Sequence, residues 1–124
     1  MLKHRMATIA LVVFGLVGSG MASAGETVVI AAKAISTNSG WRFDVTLQHD
    51  DTGWEHYADA WRVVGEDGTV FGTRTLYHPH VDEQPFTRSL TGIAIPAGVS
   101  KVIIEGRDNI HGWGGRTIEV VLDR

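Results

Sequence analysis

Five of the six histidines in this chain, His49, His56, His78, His80 and His111, follow residue 24, and each has carboxylates near it in sequence: Asp50, Asp51, Asp82, Glu83 or Asp108. Neutral imidazole and carboxylate oxygen without any thiolate are donors for Zn2+ or Cu2+, and a poorer match for Ca2+. His78-Pro79-His80 carries the most chemistry for its length. In an extended segment residues i and i+2 face the same way, and the proline keeps His78 out of the helical region, so the two imidazoles can share one ion. The plain alternative is a polar loop whose histidines bond to neighbouring carboxylates.

His49-Asp50-Asp51-Thr52-Gly53-Trp54-Glu55-His56 is a tight acidic loop that can turn at Asp51-Thr52-Gly53 and return His56 towards His49. His49 also continues the phase of Phe43, Val45 and Leu47. It therefore reads equally as a cap on the core, hydrogen-bonded to a buried carbonyl or carboxylate. Asn109-Ile110-His111-Gly112-Trp113-Gly114-Gly115 surrounds a histidine and an indole with glycines, as a ligand-presenting loop or an aromatic-stapled hairpin would. Asp50 and Asp108 are the candidate oxygen ligands or supporting groups. Trp54, Tyr57, Tyr77 and Trp113 are the candidate anchors for a partner of another kind.

These loops need a frame, and the apolar pattern supplies one with a period of two and turn signals about every ten residues. Strands are expected near 27–34, 41–48, 56–64, 69–77, 86–95, 101–108 and 116–122, with Gly65-Glu66-Asp67-Gly68 as a hairpin turn. Seven short strands point to an all-β immunoglobulin-like or fibronectin-like sandwich, with a small β-barrel as the alternative; strand order is not readable. If successive strands run in opposite directions, the connections near 49–55, 77–85 and 109–115 share one end. All five histidines lie in or beside these connections.

The first 24 residues have the make-up of a secretory signal peptide: Lys3, His4 and Arg5, an apolar run over 7–20, then Ala22-Ser23-Ala24. The run is shorter than the ~20 residues of a membrane span. No twin arginine stands near the start and no cysteine at the cleavage point, so general export to the periplasm or medium without a lipid anchor is expected. Residues 25–124 then form a single domain of 100 residues, with no membrane span after processing. The chain has no cysteine, so packing, with or without a bound ion, must hold that domain together.

After residue 24 the chain has nine Lys and Arg against fourteen Asp and Glu, a net charge of −5 with no basic stripe. That balance argues against nucleic acid and anionic membrane surfaces as partners. The three methionines, Met1, Met6 and Met21, all precede residue 25, which leaves no thioether for Cu+. No nucleophile elbow, phosphate loop or HExxH helix is present, so no motif argues for an enzyme.

The run from His49 to Ala58, His78-Pro79-His80 with Glu83-Gln84-Pro85-Phe86, and the stretch opening at Arg107-Asp108 and closing at Gly115 together resemble a group of small uncharacterised exported bacterial proteins. The resemblance covers most of the domain and carries no activity with it. Two functions follow from the residues: a Zn2+ or Cu2+ site drawn from the five histidines, or a protein, peptide or sugar interaction module built on the aromatic loops. The cleavage signature makes the first measurable expectation. Intact-mass analysis of the exported product should give a chain beginning at Gly25, and a steady-state product that keeps residues 1–24 would contradict it.

Overall fold

Alternation is clearest in the second strand, where Trp41, Phe43, Val45 and Leu47 are buried while Arg42 and Gln48 face solvent. A strand with one apolar face must lay it against another layer. In the computed structural model, which describes residues 25–124, this is met by β1 (Val28–Thr37), β2 (Gly40–Gln48), β3 (Ala58–Gly65), β4 (Val70–Thr75), β5 (Phe86–Ile93), β6 (Lys101–Asp108) and β7 (Gly112–Val121). Trp61, Phe43, Leu47, Ile104, Ile118 and Val120 fill the space between the layers. The described residues form no helix, and hence none long and apolar enough to cross a membrane.

The strands follow the order β4-β3-β6-β7-β1-β2-β5 in one sheet. All neighbours are antiparallel except β7 and β1, which meet in parallel at Arg116 and Val28. The sheet folds over on itself. At its free edges β4 comes close to β5, so that a methyl group placed on Gly72 would lie 3.2 Å from Leu90 Cδ2. The result is an all-β, sandwich-like fold that is nearly closed into a barrel, which brings the two architectures expected from the sequence together.

The main departure from the expected elements is at β7, which begins at Gly112 instead of near residue 116. Gly112, Trp113 and Gly114 pair with Asp108, Arg107 and Gly106. Backbone donors and acceptors form a ladder whatever the side chain, so a glycine-rich stretch with no alternating pattern can still be strand. β1 likewise runs on to Thr37, and Thr37 pairs with Gly40 across a two-residue turn. A register break between Ala58 and Ala60 leaves Asp59 half-buried, and it pairs there with Arg107.

The loops 49–57, 76–85 and 109–111 lie at one end of the sheet. Since β1 turns into β2 at the opposite end, the first residue of β1 also starts at the histidine end. Its approach is set by two glycines. A methyl group on Gly106 would come within 2.5 Å of Thr27 Cγ2, and one on Gly115 would overlap the Thr27 carbonyl oxygen. That oxygen accepts the Arg116 N–H at 3.3 Å. Gly115 also has φ +76°, a conformation open to glycine at little cost. Gly115→Ala should therefore destabilise the domain by about 2–4 kcal/mol in urea unfolding, against no more than ~0.5 kcal/mol for Gly98→Ala. A methyl group on Gly98 would meet nothing within 4 Å. Equal stability of the two variants would show that the β1–β7 junction tolerates a side chain.

Candidate metal centre

Asp108, the last residue of β6, is the floor of the site, and its side chain is fully buried. Its Oδ1 accepts the backbone N–H of His111 at 2.7 Å and of Ile110 at 2.9 Å, which folds the chain tightly after the strand. The His111 ring is returned over the same carboxylate, with Nδ1 at 3.0 Å from Oδ1 and 3.2 Å from Oδ2. Burial pushes the Asp108 carboxyl up, but the His111 and Ile110 N–H groups and the His111 ring outweigh it, so it lies below its ordinary value. The carboxylate form is the one this fold holds.

The loop after β2 brings two more imidazoles to Asp108. His49 is buried directly beyond Leu47, and Asp51 turns the chain by donating its N–H to the His49 carbonyl at 2.8 Å. Thr52 N–H to His56 O, at 2.9 Å, then closes the turn. The rings of His49 and His56 meet edge to face with centroids 4.7 Å apart, and those of His56 and His111 are 5.2 Å apart. His56 Nε2 lies 3.2 Å from Asp108 Oδ1, and His49 Nε2 lies 3.9 Å from Oδ2. One donor atom from each of His49, His56 and Asp108 falls within 4.8 Å of the others, a grouping that can hold a metal ion.

Asp51 is a second hub. Its Oδ1 takes His49 Nδ1 at 2.6 Å and the Ala58 N–H at 3.0 Å, while Oδ2 takes the His80 N–H at 2.7 Å. Gln84 adds a cross-link, accepting the His49 N–H at 3.0 Å and donating to the His80 carbonyl at 3.0 Å. His49 Nε2 meets the Gly25 carbonyl at 2.7 Å. Both nitrogens of His49 thus face oxygen atoms. The sequence offers Asp51 as one acid among several in its loop. Only the chain reversal shows it to be the bond acceptor for three separate segments.

The two remaining histidines lie elsewhere on this end. The His80 ring stacks on Phe86 with centroids 4.1 Å apart, and its Nε2 is 2.9 Å from Arg88 Nη2. Arg88 also pairs with Glu83 at 3.1 Å. His78 is exposed, 4.8 Å from His80 between ring centroids, with Nδ1 near the Pro79 carbonyl. Asp50 is exposed beside the buried Asp51. Of the aromatic anchors, Trp54 and Tyr77 are 65% and 77% exposed, and Tyr57 sits edge-on to Trp54. Trp113 is covered by the Arg62 guanidinium at 3.9 Å.

Comparison with known proteins finds a protein named "Putative lipoprotein" from Halomicrobium mukohataei, 46% identical over 78 residues, 63% of this chain. The matched stretch is 38% of that protein, so the chain spans about two-fifths of its relative's length. No protein-family model and no solved structure matches.

Burial, followed by the neighbouring Arg88 charge and by His78, lowers the pKa of His80 below its ordinary 6.5. A histidine held neutral in this way contributes stability that is complete above the unfolded-state value and is lost as pH falls through the lower folded one. The stability difference between wild type and His80→Phe should accordingly be constant above pH 6.5 and shrink, or reverse, on acidification below it. Paired thermal melts across pH 7.5 to 5 measure this, and a difference independent of pH would remove His80 as a source of acid sensitivity.

Proposed function

We propose that the domain binds a divalent transition metal, Zn2+ or Cu2+, at the end of the sheet where His49, His56, His111 and Asp108 converge. The observation that carries this reading is the grouping of His49, His56 and Asp108 donor atoms within 4.8 Å. His111 brings a further imidazole nitrogen to the same carboxylate. The donor set is imidazole and carboxylate, which is the chemistry of Zn2+ and Cu2+ sites. A bound ion would take the place of the hydrogen bonds that His56 and His111 make with Asp108. His49 Nε2 would exchange the Gly25 carbonyl for the metal. Its other nitrogen would stay on Asp51, the carboxylate–histidine–metal arrangement that fixes ring orientation. Arg88 beside His80 adds positive charge there and makes the His78–His80 pair the weaker position for a cation.

The expected setting is the periplasm or the medium. The leader-like first 24 residues and the name of the Halomicrobium mukohataei relative support export, and the name leaves a membrane-attached form open.

A second reading rests on a different feature of the same end. Trp54, Tyr77, Val81 and Ile110 are four of the large apolar side chains that remain exposed, and all four lie in its connections. Such a rim suits an interaction module for a protein, peptide or sugar through Trp54, Tyr57, Tyr77 and Trp113.

Calorimetric titration of tag-free, metal-stripped protein separates the two readings. Zn2+ or Cu2+ should bind at one equivalent with release of protons, and affinity should fall as pH drops from 7.5 to 5, because ligand imidazoles must be deprotonated. Asp108→Asn and His56→Ala should each weaken binding by at least ~10-fold. Absence of saturable binding in the wild type would overturn the metal reading and leave the aromatic rim.

A further inference from the structure

Gly25 is the first residue after the Ala22-Ser23-Ala24 signature, and the fold delivers it to the histidine cluster. Two observations place it there. Its carbonyl meets His49 Nε2 at 2.7 Å. A methyl group on its Cα would lie 3.0 Å from His111 Cε1 and 3.2 Å from His56 Cε1, so the Cα is packed against the rings. Thr27, held by Gly106 and Gly115, fixes the segment two residues on. The nitrogen of Gly25 is one covalent bond from that packed Cα.

The chemistry of this nitrogen depends on processing. In the precursor it is a peptide nitrogen, whose lone pair is delocalised into the Ala24 carbonyl. Cleavage adds water across the Ala24–Gly25 bond: the carboxylate leaves with residue 24 and the amine stays on Gly25. An amine has a free lone pair and is a nitrogen donor of the same class as imidazole.

We infer that removal of residues 1–24 completes the metal centre, the α-amino nitrogen of Gly25 joining the His49, His56, His111 and Asp108 cluster as a ligand for Cu2+. The inference rests on the metal-site reading and on cleavage after Ala24. An amine added to several imidazoles makes a nitrogen-rich set, and among divalent first-row ions such sets bind Cu2+ most tightly. It also ties the centre to export. The precursor lacks one ligand, and the protein acquires full affinity only once its leader is gone.

Protein released from a cleavable fusion so that Gly25 is the first residue, and the same protein acetylated at Gly25, are titrated with Cu2+, with thermal melts to show that both are folded. Acetylation should cost at least ~10-fold in affinity, since even partners behind a metal ligand are worth that much. Glycine-selective 15N labelling of the unmodified protein gives a test that no folding defect can confuse. The nitrogen hyperfine pattern of bound Cu2+ should change on labelling, because the only glycine nitrogen that is an amine is that of Gly25. Equal affinities together with an unchanged pattern would overturn this inference and leave the histidine–aspartate centre standing. A lower melting temperature on acetylation with unchanged Cu2+ affinity would also overturn it, by making the amine an ion-pair partner only. No Cu2+ or Zn2+ binding by the unmodified protein would remove the metal reading and this inference with it.

Discussion

Two carboxylates with no exposed side-chain surface, Asp51 and Asp108, must be matched inside one end of this fold, and His49 lies between them. An unpaired buried carboxylate is costly enough that removing one partner of a buried pair typically costs ~3–5 kcal/mol. The donors that meet this requirement come from the β2–β3 loop and the start of β3, the β4–β5 loop and the β6–β7 loop. The large apolar side chains Trp54, Tyr77, Val81 and Ile110 of these segments are exposed and do little to hold them. The carboxylates are what fasten the connections to the sheet and to one another.

The same requirement shapes the histidine cluster. Asp108 collects N–H groups from its own loop and ring nitrogens from His56 and His111. This hydrogen-bonded network is satisfied by its own groups, and the donor atoms of His49, His56 and Asp108 lie within 4.8 Å of one another, close enough to hold an ion. Asp51 stays outside the group while orienting His49 through a 2.6 Å contact. The bonds that support these loops are the same bonds that place His49, His56 and Asp108 together. The burial of His49 is therefore compatible with both readings.

Glycines decide how closely the elements approach. Gly106 and Gly115 leave the slot that Thr27 occupies, and the parallel contact between β1 and β7 forms beside it. That contact joins the two antiparallel ladders into a single nearly closed sheet and sets the first described residues against the histidine rings. A side chain at Gly115 would press on the Thr27 backbone, and one at Gly106 on the Thr27 side chain.

The amino-acid sequence by itself determined the all-β class, the number of strands and the end at which the histidines gather, because alternation and turn residues are local signals that repeat along the chain. Lys101–Asp108 is the sixth strand in both pattern and structure, since its buried and half-exposed residues alternate without interruption. Gly112–Val121 was only partly legible, because Gly112, Gly114 and Gly115 have no side chains with which to show a period. The grouping of His49, His56 and Asp108, the separate partners of His80, the hub at Asp51 and the arrival of Gly25 at the cluster were decided by tertiary structure alone. The turn that can return His56 towards His49 is local. The contacts of His56 with Asp108, of Asp51 with His80 and of Gly25 with His49 join residues 24 or more positions apart and depend on which strands become neighbours. Such pairings are fixed by packing over the whole domain, and no local pattern contains them.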